Sequence, residues 1–186
     1  MAQYYDIDDI LAEDELVPAI FQEAANGVGL FYSSDDTNKV EQGSKVELPL
    51  WLARELHLRQ AAAINVPHCF NKKTRDEIEA DGAHVDLRNR CQYFYELGYK
   101  IAPLVSDKTI GSFLLFAFQT RYKEVLIKAH TAALSVASKF LSILTKEEAK
   151  LYEAAQSSMT AFKKWRMGGP RFQKASVLGR KRKPIE

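Results

Sequence analysis

The sequence predicts an α+β fold, mainly α, with a small N-terminal β-rich domain (residues 1–66), a helical bundle domain (67–167) and a basic tail (168–186). Three observations predict it. Before residue 67, apolar residues sit in short runs between turn signals, and Ser44-Lys45-Val46-Glu47-Leu48 alternates with period two. After residue 67, apolar residues recur at steps of three and four. Thr74 to Glu77 and Thr145 to Glu148 have the Thr-x-x-Glu spacing that opens helices, because threonine and glutamate satisfy each other's unpaired amides.

Leu16–Phe21 and Val28–Tyr32 flank Asn26-Gly27, which predicts a hairpin, since both turn residues tolerate positive φ. Residues 33–38 are polar and read as an exposed loop. Pro49 ends the strand that begins at Ser44, and suits the first turn of a short helix, Leu50–Leu56, whose largest apolar side chain is Trp51. Ala62–Val66 returns as a strand before Pro67. A β unit of about 65 residues is marginal alone and must lean on something else.

In the second half, Thr74 is expected to cap one helix, and Leu87, Cys91, Phe94, Tyr95, Gly98 and Ile101 to line the next. Ile110, Leu114, Phe118, Tyr122, Val125 and Ala129 line a third. Around Phe113, Leu115 and Phe116 that helix is apolar nearly all round, which predicts burial on several sides. The last helix starts at Thr145, carries the stripe Tyr152, Ala155, Met159 and Phe162, and stops at Gly168-Gly169-Pro170. Lys163, Lys164 and Arg166 complement its carbonyl end.

Composition narrows the function. With 46% hydrophobic and 27% charged residues the body of the chain is not disordered. No uncharged run exceeds 12 residues, against roughly 20 for a spanning helix, so no membrane role is expected. The start, Met1-Ala2-Gln3-Tyr4-Tyr5-Asp6, lacks the basic and apolar regions of a secretory signal, and Cys69 and Cys91 form no Cys-x-x-Cys pair, so an intracellular chain with free thiols is expected. Residues 1–38 hold nine acids and no base; residues 1–162 sum to −6 and residues 163–186 to +8. Such segregation suits assembly surfaces and a tail better than a catalytic pocket, which needs converging groups.

No catalytic constellation is found. Gly27-Val28-Gly29 lacks a third glycine, and no Gly-x-x-x-x-Gly-Lys run exists. His57, His68, His84 and His130 are dispersed, so a zinc site would need the distant set His68, Cys69, His84 and Cys91. Cys69 beside His68 reads as a small buried cysteine, and the neighbouring carboxylates Asp8-Asp9 and Asp35-Asp36 point apart. Neither catalysis nor a cofactor or metal is expected. Tyr93, Phe94, Tyr95, Tyr99, Phe113, Phe116 and Phe118 read as core and subunit interface, because base-stacking platforms come interleaved with Lys and Arg. The tail cluster Arg180-Lys181-Arg182-Lys183-Pro184 has the composition of a nuclear-import signal or an electrostatic nucleic-acid contact, and a nucleic-acid-binding adaptor using it is the alternative function.

The run Gln42-Gly43-Ser44-Lys45-Val46-Glu47-Leu48-Pro49-Leu50-Trp51-Leu52-Ala53 resembles the signature stretch of the Psf-three family of GINS subunits, eukaryotic DNA replication factors. Tyr5–Leu11 resembles that family's acidic N-terminal segment, and Asn26–Phe31 sits where it has an early hairpin. The resemblance spans roughly residues 5 to 165 and leaves the basic tail unmatched. It implies a non-catalytic scaffold joined with three sister subunits in a heterotetramer. It further implies a nuclear complex that binds the MCM ring and its Cdc partner in the replicative helicase, with DNA contact indirect or weak. Leu50, Trp51 and Leu52 would then anchor the β domain to the helical one or to a sister subunit, with Phe94, Tyr95, Phe113, Phe116 and Phe118 as further interface candidates.

Overall fold

A computed structural model describes residues 6–26, 39–131 and 139–167. The expected strand at Val28–Tyr32, the loop at 33–38, the Gly168-Gly169-Pro170 stop and the Arg180–Lys183 cluster lie outside the described residues. The elements follow in the order α1 (Ile7–Glu13), β1 (Leu16–Phe21), β2 (Ala25–Asn26), β3 (Lys39–Val40), β4 (Lys45–Pro49), α2 (Leu50–Leu58), β5 (Ala62–Ile64), a 3-10 turn (His68–Phe70), α3 (Lys72–Asp81), α4 (Phe94–Ile101), α5 (Ile110–Thr131) and α6 (Lys146–Arg166). The fold is α+β and mainly α, as the sequence predicts.

Three strands form an antiparallel sheet in the order β4-β1-β5, with Ala19 opposite both Val46 and Ile64. Val17, Ala19 and Phe21 turn inward, as do Val46 and Leu48 of β4, so the period-two pattern builds one buried face. The two-residue turn expected at Asn26-Gly27 is corrected. Asn26 is itself a strand residue: Ala25 pairs with Val40 and Asn26 with Lys39. The physical reason lies in β1, whose two hydrogen-bonding edges are taken by β4 and β5.

The sheet does not close its own core. Its inward residues and Leu50 of α2 share one cluster with Phe70, Ile78, Leu87, Phe94, Leu97, Ile101, Phe113 and Ala117. A second cluster joins the later turns of α5 to α6 through Val125, Ala129, Phe140, Leu144, Tyr152 and Ala155.

Helix starts show where local chemistry decides. Thr145 caps α6 with both halves of the expected capping box in place. At α3 the cap is Asn71, whose side chain accepts from the Thr74 amide at 2.8 Å. Asparagine outranks threonine as a cap, and Thr74 is buried with its hydroxyl accepting from Arg90 at 2.6 Å. The helix expected from Leu87 is also shorter: Leu87 and Cys91 are buried in the irregular connection before α4.

In sequence α1 is only an acidic stretch, and it docks by those acids. Lys100 of α4 bonds Asp9 and, at 3.1 Å, Glu13; Lys150 of α6 pairs with Asp8, which also accepts from the Tyr93 hydroxyl at 3.3 Å. Ile7, Ile10 and Leu11 face outward.

Arg121 of α5 is the largest fully buried side chain among the described residues. Its Nε and Nη2 donate to the two oxygens of Glu148 at 2.6 and 2.8 Å, and its Nη1 donates to the carbonyls of Gly82 and Val85 at 2.6 and 2.8 Å. Glu148 also accepts from the Tyr95 hydroxyl at 2.8 Å and the Thr145 amide at 3.2 Å. Burial acts to lower the Arg121 pKa, but bonding to Glu148 outweighs it, and the net shift is upward. Arg121→Ala, which strands the Glu148 charge and two carbonyls, should cost about 3–5 kcal/mol in denaturant unfolding. A loss below about 1 kcal/mol would mean that water replaces the guanidinium.

Glu147 next to it accepts from the Glu96 amide at 3.1 Å through Oε1, while Oε2 is buried with no partner. Burial raises its pKa. The fold therefore favours its protonated form, giving stability that is present below the ordinary glutamate range and lost as pH rises through the raised value. Glu147→Gln should accordingly gain melting temperature over the parent at pH about 7 and lose that advantage near pH about 4. An offset independent of pH would contradict this.

Candidate interaction surface

The predicted interface residues separate by depth. Leu50 is buried under the sheet, Leu52 is half-buried, and Trp51 is half exposed, donating from Nε1 to Asp14 at 3.4 Å. Phe94 and Phe113 belong to the interior: Phe94 tilts against Phe70 at 4.9 Å and meets Phe113 edge-on at 6.2 Å, and the Arg75 guanidinium lies over the Phe113 ring at 5.1 Å. Leu50, Phe94 and Phe113 all lie in the core cluster that the sheet shares with the helices of this chain.

From Phe94 a line of rings runs outward. Tyr95 meets Phe94 edge-on at 5.3 Å and Phe118 edge-on at 5.7 Å, and Phe118 lies 5.3 Å from Tyr122. Burial and the adjacent Glu148 carboxylate push the Tyr95 hydroxyl well above its ordinary pKa, so it stays a donor. The line ends in solvent: Phe116 and Phe118 are 43% and 41% exposed, with Leu115 and Tyr122 beside them.

This corrects part of the expected stripe of α5. Ile110, Val125 and Ala129 point inward with Phe113, Ala117 and Arg121, Leu114 packs half-buried against the same core, and Phe118 and Tyr122 point outward. A fully buried arginine rotates the helix, and a cation in a sequence is ordinarily placed outside. The expected burial of Leu115 and Phe116 is likewise not met within this chain, and α5 presents apolar residues on both its inner and outer faces. Leu115, Phe118 and Tyr122, spaced by three and four, fall on one line of that outer face.

A second exposed group closes α6, whose stripe of Tyr152 and Ala155 is buried but whose Phe162, Trp165 and Met167 are exposed. The helical spacing places Phe162 in that stripe and gives no signal for Trp165. A cavity of about 320 Å³ lies between Asp8 of α1, Arg88, Gln92 and the first turns of α6, and two of its charges, Asp8 and Lys150, already pair with each other.

Converging chemistry is not seen among the described residues. No three His, Cys, Asp or Glu side chains group as a metal site, and no helix is long and apolar enough to cross a membrane. His68 is exposed while Cys69 is buried, so the two do not form a couple. The Cys91 thiol, next to Cys69 and shielded from water, is pushed far up, the opposite of an activated nucleophile.

The chain matches two family descriptions in succession, the PSF3 N-terminal domain over residues 5–58 and the GINS complex protein helical bundle domain over residues 69–167. It is 32% identical over 173 residues to the DNA replication complex GINS protein PSF3 of Phaeosphaeria nodorum, covering 89% of this chain and 96% of that one. The protein of the same name from Homo sapiens is 28% identical over 174 residues, covering 89% of this chain and 81% of its own length. That of Schizosaccharomyces pombe is 32% identical over 118 residues, 63% of this chain and 68% of its own. Matched in both halves, and over most of its length by relatives from fungi and a vertebrate, the chain belongs to the PSF3 family of DNA replication complex GINS proteins.

Proposed function

We propose that the chain is a non-catalytic scaffold subunit of a heterotetrameric, nuclear GINS complex, built with three sister subunits. In this reading the complex joins the MCM ring and its Cdc partner in the replicative DNA helicase. Family membership supports the replication role. The observation that carries the scaffold reading is the outer face of α5, where Leu115, Phe118 and Tyr122 stand exposed in one line, with Phe116 exposed further round, on a helix whose inner face is already buried. Contiguous apolar exposure of this kind marks protein interfaces, and residues 109–120 carry no charged side chain that a partner would have to desolvate. Trp51, half exposed beside α1, is proposed as a further contact.

The reading is tested by charge. Phe118→Arg combined with Phe116→Arg should remove the chain from the complex when the four subunits are co-expressed and the native mass is measured. A loss above about 2 kcal/mol per central aromatic is expected at such a site. Because both rings are exposed, the helical circular dichroism of the variant should stay near that of the parent. Recovery of the double variant at full stoichiometry, or a parent chain that is monomeric with a concentration-independent melt, would refute the scaffold assignment.

A further inference from the structure

α6 outlasts its described packing partners. Its buried residues end at Ala155, Met159 is half-buried, and every residue from 160 to 167 is exposed. On this free end the rings of Phe162 and Trp165 lie 5.8 Å apart with their planes 34° from parallel, and Trp165 is 74% exposed. Lys163 and Lys164 stand between them and Arg166 follows, and none of the three cations is ion-paired with an acid among the described residues.

We propose that the C-terminal end of α6 is a platform for single-stranded nucleic acid, on which Trp165 and Phe162 stack bases while Lys163, Lys164 and Arg166 bond the flanking phosphates. The feature whose absence disqualified the rings of α4 and α5 as a platform is present here: aromatics interleaved with cations. The helix dipole does not absorb these charges, since the carbonyl end is worth about half an elementary charge against three cations.

A protein partner is the less suitable occupant. Lysine is depleted at protein interfaces, and cations covered there need acids opposite them. The outer face of α5, without charge from 109 to 120, has the composition that α6 lacks. Downstream the sequence adds Arg171, Lys174, Arg180, Lys181, Arg182 and Lys183 against the single acid Glu186, which favours a polyanion as the ligand. Stacking needs unpaired bases, so the ligand is a single strand, bound without sequence preference.

The test uses the assembled complex containing the full chain, with anisotropy of a labelled oligothymidine of about 20 nucleotides, long enough for several stacking sites. Trp165→Ala should weaken binding about tenfold, and Trp165→Phe, which keeps a ring, should restore most of it. Replacing Lys163, Lys164 and Arg166 by Ala should flatten the dependence of log affinity on log salt by about 2 units, roughly 0.7 for each phosphate no longer neutralised. A duplex of equal length should compete poorly. Assembly is read separately from native mass, so failure of the platform is distinguishable from failure of the scaffold reading. If the Trp165→Ala chain drops out of the complex, the ring belongs to a subunit interface and the proposal is overturned. It is equally overturned if Trp165→Ala binds as the parent does, or if deleting residues 168–186 abolishes binding that Trp165→Ala leaves intact.

Discussion

A guanidinium cut off from water must have its donors answered by the protein, and Arg121 answers its own by drawing the α3–α4 connection and the start of α6 onto α5. Desolvating two charges offsets much of what the Arg121–Glu148 attraction contributes, so the pair is weak evidence for stability as such. Its stronger effect is on register. Only one rotation of α5 points position 121 at Glu148, and Tyr95 and the Thr145 amide must meet the same carboxylate. Position 121 lies inside on this helix, and Leu115, Phe118 and Tyr122 lie outside. The polar interior thus dictates which apolar residues the molecule shows to its surroundings.

Those residues are not isolated on the surface. Through Tyr95 they continue ring by ring to Phe94, Phe70 and the shared core beneath the sheet. A partner covering α5 therefore presses on side chains held by close-packed neighbours, and less conformational freedom is left to lose on association. The end of α6 differs in both respects: its rings touch each other and its neighbours in sequence are cations. Two surfaces of opposite chemistry thus stand on two helices that the second core cluster holds together.

Much of this was legible in the residues. Alternation gave β4, Pro49 gave the strand-to-helix junction, and the Thr145 box gave the start of α6, because each depends on neighbours in sequence. What was not legible depends on distant partners. Asn71 took the cap expected at Thr74 because Arg90 claims the Thr74 hydroxyl. The rotation of α5 followed from Glu148, 27 residues away. The acids of α1 signal solvent in the sequence, and only the fold brings Lys100 and Lys150 beside them. Depth was hidden as well: Phe94 and Phe118 look alike in sequence, and only the fold puts one inside and the other out.

The way α1 is held has a consequence for biosynthesis. Asp8 and Asp9 leave the ribosome about 90 and 140 residues ahead of Lys100 and Lys150. β1 waits as well, first for β4 and then for β5. Until then Ile7, Ile10 and Leu11 travel on a nascent segment whose cationic anchors do not yet exist, and its acids keep it solvated. The acidic segment before β1 is thus made earlier than every cation that anchors it.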